Sequence, residues 1–304
     1  MTAQFRDLKT VAVLGLGIIG QGMASRVATS GFGLVLWNRT AATAQLVALR
    51  MAPGAASERA TVAASAAEAA AGADLILVSL SDDEAVRSVL TSPAMAAALR
   101  PGTIVVDAST VAPETSREIA GRLADRGVTY LDAPVTGGAE KACDGTLTLL
   151  CGGPEPALDH ARPVMDLVAA RVERFGEVGS GQLVKAINQI ILAGALAGVA
   201  EGIGLAEAAN LDAAAVVAAL TDGAATSWVL RERAPLMVAR DLEARGRIAL
   251  HLKDLRIALR AAGAVGARVP LTRLVESLEA EVADAGFGDE DVSALIRAYA
   301  LDPG

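Results

Sequence analysis

Residues 10–20 read TVAVLGLGIIG, and they restrict the fold more than any other stretch of the chain. A short apolar run ends in Gly15-x-Gly17-x-x-Gly20 and passes directly into a helix-forming segment that stops at Gly31. Strand, glycine turn, helix is the opening of a dinucleotide-binding βαβ unit. Gly15 allows the tight turn, Gly17 lets backbone approach a diphosphate, and Gly20 lets helix pack closely on strand. The free N–H groups at the helix start, at Ile18 and Ile19, join the positive end of the helix dipole in meeting the phosphates. A purely structural glycine turn is the competing reading, and the strand-to-helix context disfavours it.

The pattern repeats. GLVLWN (33–38), ADLILVSLS (73–81) and GTIVVDAS (102–109) are continuous runs that suit strands buried on both faces of a parallel sheet. Ala-rich helical segments lie between them, at 61–71 and 112–125, and VTYLDAPV (128–135) and TLTLLCGG (146–153) add further strands. The alternation predicts an α/β fold, with an N-terminal Rossmann-type doubly wound domain over 1–178. Leu80 and Ser81, at the end of ADLILVSLS, are placed with the cofactor residues. After residue 178 the β pattern disappears. The segment from Ser180 to Asn210 gives about 31 residues of helix, about 46 Å long. More helices follow near 226–238, 247–264, 270–284 and 290–300. The expected second domain, 179–304, is all-α, joined by a long interdomain helix, and serves substrate binding and dimerisation.

Composition narrows the partners. A hydrophobic fraction of 53% argues against disorder, and a net charge of −8 argues against a nucleic-acid or anionic-membrane surface. Cys143 and Cys151, with His160 and His251 as the two histidines, give no basis for a metal centre or a disulfide framework. MTAQFRDLKTVAVLG carries no basic region ahead of an apolar core, and no uncharged run reaches the length of a membrane span, so a cytoplasmic protein is expected.

The second strand ends LWNRT. NAD enzymes place an acidic residue there to hold the ribose 2′-OH. This chain has Asn38, Arg39 and Thr40 instead, so nothing repels a 2′-phosphate. Arg39 can pair with that phosphate in fork geometry and Thr40 can donate a hydroxyl. NADP(H) is therefore expected in preference to NAD(H).

The long apolar helix carries Lys185, with Asn188 and Gln189 at i+3 and i+4, so an ammonium and two amides share one face. Taken alone, the segment reads most simply as a lysine on an exposed stripe. The sharper alternative is an acid/base lysine, its pKa lowered by the helix start and by partial burial. Neither histidine sits in a comparably persuasive setting.

Five ordered blocks decide between these readings. GLGIIGQGMA, VVDASTVAPET, DAPVTGGAEKACDGTL, GSGQLVKAINQ and HLKDLRIAL resemble, in sequence order, the signature segments of the β-hydroxyacid dehydrogenase family. That family includes 3-hydroxyisobutyrate dehydrogenase, tartronate semialdehyde reductase and the glyoxylate/succinic semialdehyde reductases. The resemblance implies that Thr110 lies beside the nicotinamide and that Thr136, Gly137 and Gly138 hold the substrate carboxylate. It implies Lys185 as general acid/base, Asn188 and Gln189 as substrate ligands, and Lys253 against the cofactor. Thr136 departs from the commoner Ser, Gln189 from a second Asn, and Ile18-Ile19 from the frequent Met before Gly20. The expected activity is an NADPH-dependent, reversible reduction of a small aldehyde or keto acid by a homodimer or homotetramer. An imine reductase on the same scaffold is the first rival, although that family generally lacks the lysine. A catalytically inactive NADP-binding scaffold is the second.

Overall fold

Strand β1 (Thr10–Leu14) lies between β2 (Gly33–Trp37) and β4 (Leu75–Val78) in the computed structural model, which describes residues 5–51 and 60–299. The remaining strands are β3 (Ala60–Val62), β5 (Ile104–Asp107), β6 (Thr129–Asp132), β7 (Val135–Thr136), β8 (Leu147–Gly152) and β9 (Ala169–Gly176). The sheet order is β3-β2-β1-β4-β5-β6-β8-β7, with β9 paired to β8. The strands from β3 to β6 run parallel, whereas β8 is antiparallel to β6 and β7. The helices of this part are α1 (Ile18–Ala28), α2 (Ala41–Arg50), α3 (Ala66–Ala71), α4 (Asp83–Leu90), α5 (Pro93–Ala98), α6 (Pro113–Ala124), α7 (Gly138–Asp144) and α8 (Glu155–Val168).

The doubly wound form follows from the side-chain period of two along each strand. Val11, Val13, Leu75, Leu77, Ile104 and Val106 enter one apolar cluster with Met23 and Val27 of α1 and Val164 of α8. Ala12, Leu14, Ile76, Val78 and Val105 enter another with Ala69 of α3 and Ile119 of α6. Both faces are therefore covered, as the continuous apolar runs require. On the first face α1 and α7 meet backbone to backbone: a Cβ on Gly22 would lie 2.6 Å from the Ala142 carbonyl carbon.

Two expectations change here. The segment 61–71 is a three-residue edge strand followed by a six-residue helix capped by Ser65, whose Oγ accepts the Glu68 N–H at 3.0 Å. VTYLDAPV is two strands interrupted at Ala133-Pro134, because the missing proline N–H cannot continue the ladder.

Helix α9 (Ser180–Ala208) has 29 residues and closes with Asn210 in the left-handed region, φ 56°. By length and composition alone it could cross a membrane. The chain divides into two compact units, Met1–Lys185 and Ala186–Gly304, which meet within α9. The reason is that the first turn of α9 is bonded to β6 and to the segment after β5, so it belongs with the sheet.

The second unit is helical: α10 (Ala213–Leu220), α11 (Trp228–Glu232), α12 (Ala234–Ala239), α13 (Ile248–Ala264) and α14 (Pro270–Val282), then a π-helical turn Ala283–Phe287 and a 3-10 segment Val292–Tyr299. Leu196, Ala200 and Ile203 of α9 pack there with Leu255, Val275 and Leu295. The expected helix 226–238 is split between α11 and α12, with Pro235 in the first turn of α12. The expected 290–300 helix is the 3-10 segment, and its last residue lies outside the described residues.

Candidate active site

The glycine loop connects β1 to α1, and its three glycines are required for different reasons. Gly15 has φ +91°, and a Cβ there would lie 2.2 Å from the Ser79 carbonyl oxygen. A Cβ on Gly20 would lie 2.0 Å from the Gly15 oxygen, so helix and turn are in backbone contact. A Cβ on Gly17 would meet nothing within 4 Å. Gly17 is also the N-cap of α1, with no side chain capping the helix. The folded chain thus leaves open space in front of the first amides of α1, Ile18 and Ile19, which is what a diphosphate needs. The residues fit a dinucleotide.

At the end of β2, Asn38 is turned to the loop itself. Its Oδ1 accepts the Leu16 N–H at 3.0 Å and its Nδ2 donates to the Thr40 carbonyl at 3.2 Å. Arg39 is exposed and pairs with no described carboxylate. Thr40 is the N-cap of α2 but its hydroxyl does not cap the helix.

Past β4, Leu80 is half-buried and donates its N–H to Ser109 Oγ at 2.9 Å. Ser81 is exposed and donates its hydroxyl to Asp82 Oδ2 at 2.7 Å. Past β5, Ser109 donates its N–H to Asp107 Oδ1 at 2.9 Å. The half-buried Thr110 is then bracketed by one side chain. Gln182 Nε2 donates to the Ser109 carbonyl at 2.8 Å, and Gln182 Oε1 accepts the Val111 N–H at 3.2 Å. Past β6, Thr136 leads into Gly137 and Gly138, at φ +132° and +78°, a conformation closed to most side chains. The segments after β1, β2, β4 and β5 leave the carboxyl ends of parallel strands, the edge at which open α/β sheets bind ligands, whereas the Thr136 turn leaves β7, which pairs antiparallel with β8.

Lys185 follows Gln182 by three residues on α9, so the two share a helix face. Because Gln182 grips the Thr110 segment, that face is turned toward the same sheet edge. Asp132 fixes the helix start: its Oδ1 accepts the Gly179 N–H at 2.7 Å and its Oδ2 the Gln182 N–H at 3.0 Å. Lys185 itself is half-buried.

Two buried carboxylates underlie this edge. Burial pushes the Asp107 carboxyl up to about 6, against the hydrogen bonds from Ser109 and from Tyr130, whose hydroxyl donates at 2.7 Å. Burial also raises Asp132, opposed by the N–H groups of Gly179 and Gln182. Sequence reasoning overlooked Asp107, Asp132 and Gln182. The visible signal was an Asp closing each of two apolar runs, IVVD and TYLD.

In the helical unit, Gln189 is 5% exposed and both ends of its amide are engaged. It accepts from Asn188 Nδ2 at 2.7 Å and donates to Asp254 Oδ2 at 2.8 Å. Lys253 Nζ lies 3.0 Å from Asp254 Oδ1. The histidines are structural in their contacts. The His160 ring meets the Arg6 carbonyl at 2.8 Å, and the buried His251 pairs with Glu279 at 2.6 Å. Cys151 is buried, and its thiol is pushed up to about 12.

Comparison with known proteins agrees in both halves. The family model of the NAD binding domain of 6-phosphogluconate dehydrogenase matches residues 10–176. That of the NAD-binding of NADP-dependent 3-hydroxyisobutyrate dehydrogenase matches 179–299. An L-threonate dehydrogenase of Pectobacterium atrosepticum is 32% identical over 95% of this chain and 93% of its own length. A probable 3-hydroxyisobutyrate dehydrogenase of Mycobacterium bovis is 33% identical over 95% of this chain and 97% of its own. The crystal structure of 3-hydroxyisobutyrate dehydrogenase from Salmonella typhimurium superposes with a TM-score of 0.85 at 30% identity, covering 95% of this chain and 99% of that one. An imine reductase of Myxococcus stipitatus shares the fold at a TM-score of 0.63 and 20% identity.

Proposed function

The chain belongs to the β-hydroxyacid dehydrogenase family and is an NAD(P)-dependent oxidoreductase of hydroxy acids; on that footing we propose that it reduces a small aldehyde or keto acid with NADPH, reversibly, with Lys185 as general acid/base. When bound, the nicotinamide supplies the hydride to the substrate carbonyl carbon. Lys185 donates the proton to the forming alkoxide, directly or through a water, and takes it back when the alcohol is oxidised. A positioned acid of this kind contributes about 10²–10⁴-fold.

Thr136, with its hydroxyl, and Gly137 and Gly138, with their N–H groups, hold the substrate carboxylate, since adjacent amides in such a turn favour an anion. Asn188, one turn beyond Lys185, holds the substrate with the support of Gln189. Gly15, Gly17 and Gly20 admit the diphosphate to the amides of Ile18 and Ile19, with Leu80 and Ser81 beside it. Arg39 and Thr40 take the 2′-phosphate, and Asn38 braces the loop beside them. Thr110 and Lys253 address the nicotinamide end.

The observation that supports this reading most is the grip of Gln182 on Ser109 and Val111, which sets the Lys185 face toward the Thr110 segment. The likeness to imine reductases is one of fold alone, and the lysine favours carbonyl acids. The proposal includes a cytoplasmic location and a homodimer or homotetramer. The exposed apolar side chains of α9, with Ile191 at 69% and Leu205 at 72%, support assembly. NADPH oxidation across glyoxylate, succinic semialdehyde, tartronate semialdehyde, methylmalonate semialdehyde and a cyclic imine tests the reading. Turnover of one or more of the carbonyl acids is expected. Turnover of the imine alone would refute it.

A further inference from the structure

One side chain holds both peptide units that adjoin Thr110. Gln182 Nε2 donates to the Ser109 carbonyl at 2.8 Å, and Gln182 Oε1 accepts the Val111 N–H at 3.2 Å. Peptide units are rigid planes, so a residue's φ and ψ describe how the two planes beside its Cα are turned. The Ser109 carbonyl belongs to one of the planes flanking Thr110, and the Val111 N–H to the other. Holding both restricts φ and ψ of Thr110 together, and with them the direction of its Cβ. The clasp also has a chemical requirement. A carbonyl needs a donor and an N–H needs an acceptor, and a planar amide presents one of each side by side. Both ends are anchored. The Ser109 N–H is bonded to Asp107 Oδ1 at 2.9 Å, and Ser109 Oγ accepts the Leu80 N–H at 2.9 Å. The backbone N–H of Gln182 is held by Asp132 Oδ2 at 3.0 Å. Lys185 stands three residues further along the same helix, and all of these residues belong to the unit Met1–Lys185. Gln182 itself is 1% exposed, so it offers no surface to a ligand and acts through the segment it holds.

We propose that Gln182 is a positioning residue for the reaction: its amide sets the conformation of Thr110 and, with it, the spacing between the Thr110 segment and Lys185. This rests on the dehydrogenase reading, in which Thr110 addresses the nicotinamide end and Lys185 supplies the proton. Loosening the clasp leaves every group that binds substrate or diphosphate in place and spoils the alignment of hydride and proton donors. The effect therefore falls on kcat and little on KM. A misplacement of about 1 Å costs on the order of 100-fold in rate.

Gln182→Glu turns the clasp into one that titrates. A neutral carboxyl has one O–H donor and one carbonyl acceptor and can replace both bonds, whereas a carboxylate has no donor for the Ser109 carbonyl. Burial, the Ser109 carbonyl, and the carboxylates of Asp132 and Asp107, bonded to the Gln182 and Ser109 N–H groups, all favour the protonated form. Lys185 on the same helix and Arg117, which stands against Gly179, oppose them. In the full chain, NADPH oxidation is followed with whichever carbonyl acid is turned over best. The kcat of Gln182→Glu relative to wild type is expected to fall about 10-fold or more as pH rises from 5.5 to 9, while KM moves only a few-fold. Gln182→Met, which lacks both bonds at every pH, is expected to lower kcat about 10-fold or more with a ratio to wild type that is flat in pH. Hydrogen exchange in the nucleotide-free chain gives a readout apart from turnover. The segment 108–112 is expected to exchange about 10-fold or more faster in Gln182→Met than in wild type, because the Val111 N–H has lost its acceptor. A Gln182→Glu ratio flat in pH, wild-type kcat in Gln182→Met, or unchanged exchange over 108–112 overturns the assignment and leaves the dehydrogenase reading intact. So does a Gln182→Glu chain that fails to fold at pH 5.5. No turnover of any of the carbonyl acids by the wild-type chain removes the reading and this assignment with it.

Discussion

The Asp132 carboxylate accepts the backbone N–H of Gln182 at 3.0 Å, and so joins the end of β6 to the first turn of the helix that carries Lys185. A second N–H, from Gly179, is held by the same carboxylate at 2.7 Å. Asp132→Ala would strand both buried donors, at about 1–3 kcal/mol each. The expected outcome in urea denaturation is a loss of several kcal/mol. Turnover should fall as well, because the helix start is no longer fixed. Unchanged stability would mean that the helix start is held by other contacts.

Lys185→Ala is expected to lower kcat by about 10²-fold or more, with the NADPH dissociation constant within a few-fold of wild type. Single-turnover kinetics and fluorescence titration separate the two quantities. A variant with retained turnover would show that the proton comes from another group.

Gly17 and Gly20 make opposite predictions although they belong to one motif. A Cβ on Gly20 would collide with the Gly15 carbonyl, so Gly20→Ala should destabilise the fold, by about 1–3 kcal/mol if the helix shifts to relieve it. A Cβ on Gly17 meets open space, so Gly17→Ala should melt like wild type and yet bind NADPH more weakly, because the methyl occupies the room reserved for the diphosphate. Thermal melts with and without nucleotide check both. Equal NADPH affinity in wild type and Gly17→Ala would argue against that placement of the diphosphate.

Arg39→Asp should raise the dissociation constant for NADPH about 10-fold or more and leave that for NADH nearly unchanged, since the substitution exchanges a 2′-phosphate partner for a repelling charge. Competition titrations of the two nucleotides provide the ratio, and an unchanged ratio removes Arg39 as the selector.

Asp107 predicts a pH dependence of stability. Its carboxyl stands near 6 in the folded chain against an ordinary value of 3.8, because burial favours the protonated form. A raised folded value means that the native state binds the proton more tightly. The stabilising contribution is therefore fully present below about 3.8 and is lost as pH rises through about 6, on the order of 3 kcal/mol in all. Asp107→Asn can still accept the Ser109 N–H and can donate to Tyr130. It should match or exceed wild-type stability at pH 8 and should lose this part of the slope between pH 4 and 6. Denaturation midpoints measured across that range settle it.

What could be read from the sequence divides by distance along the chain. The glycine loop, β1, β2, β4 and β5 were legible because each depends on its own few residues: a turn that only glycine fits, or a run apolar on both faces. Strand β9 was not, since its AARVERFG is largely exposed and carries charges. Edge strand β3 is three residues long and sits beside Ala-rich helix, which masked it. The supporting polar residues were hidden for a different reason. Gln182 meets Ser109 across 73 positions, and Gln189 meets Asp254 across 65. Burial brings such partners together only after the sheet and the helices have formed, and nothing local announces it.

The contact of Gly22 with Ala142 carries a mechanical corollary. Helix α1 begins where the nucleotide loop ends, and α7 begins at the Gly137-Gly138 turn. Only the methyl of Ala142 stands at this crossing, so a side chain added at Gly22 would force the two helices apart. A wedge at this crossing is expected to disturb both the glycine loop at the start of α1 and the Gly137-Gly138 turn at the start of α7, the two places where the proposed function puts nucleotide and substrate.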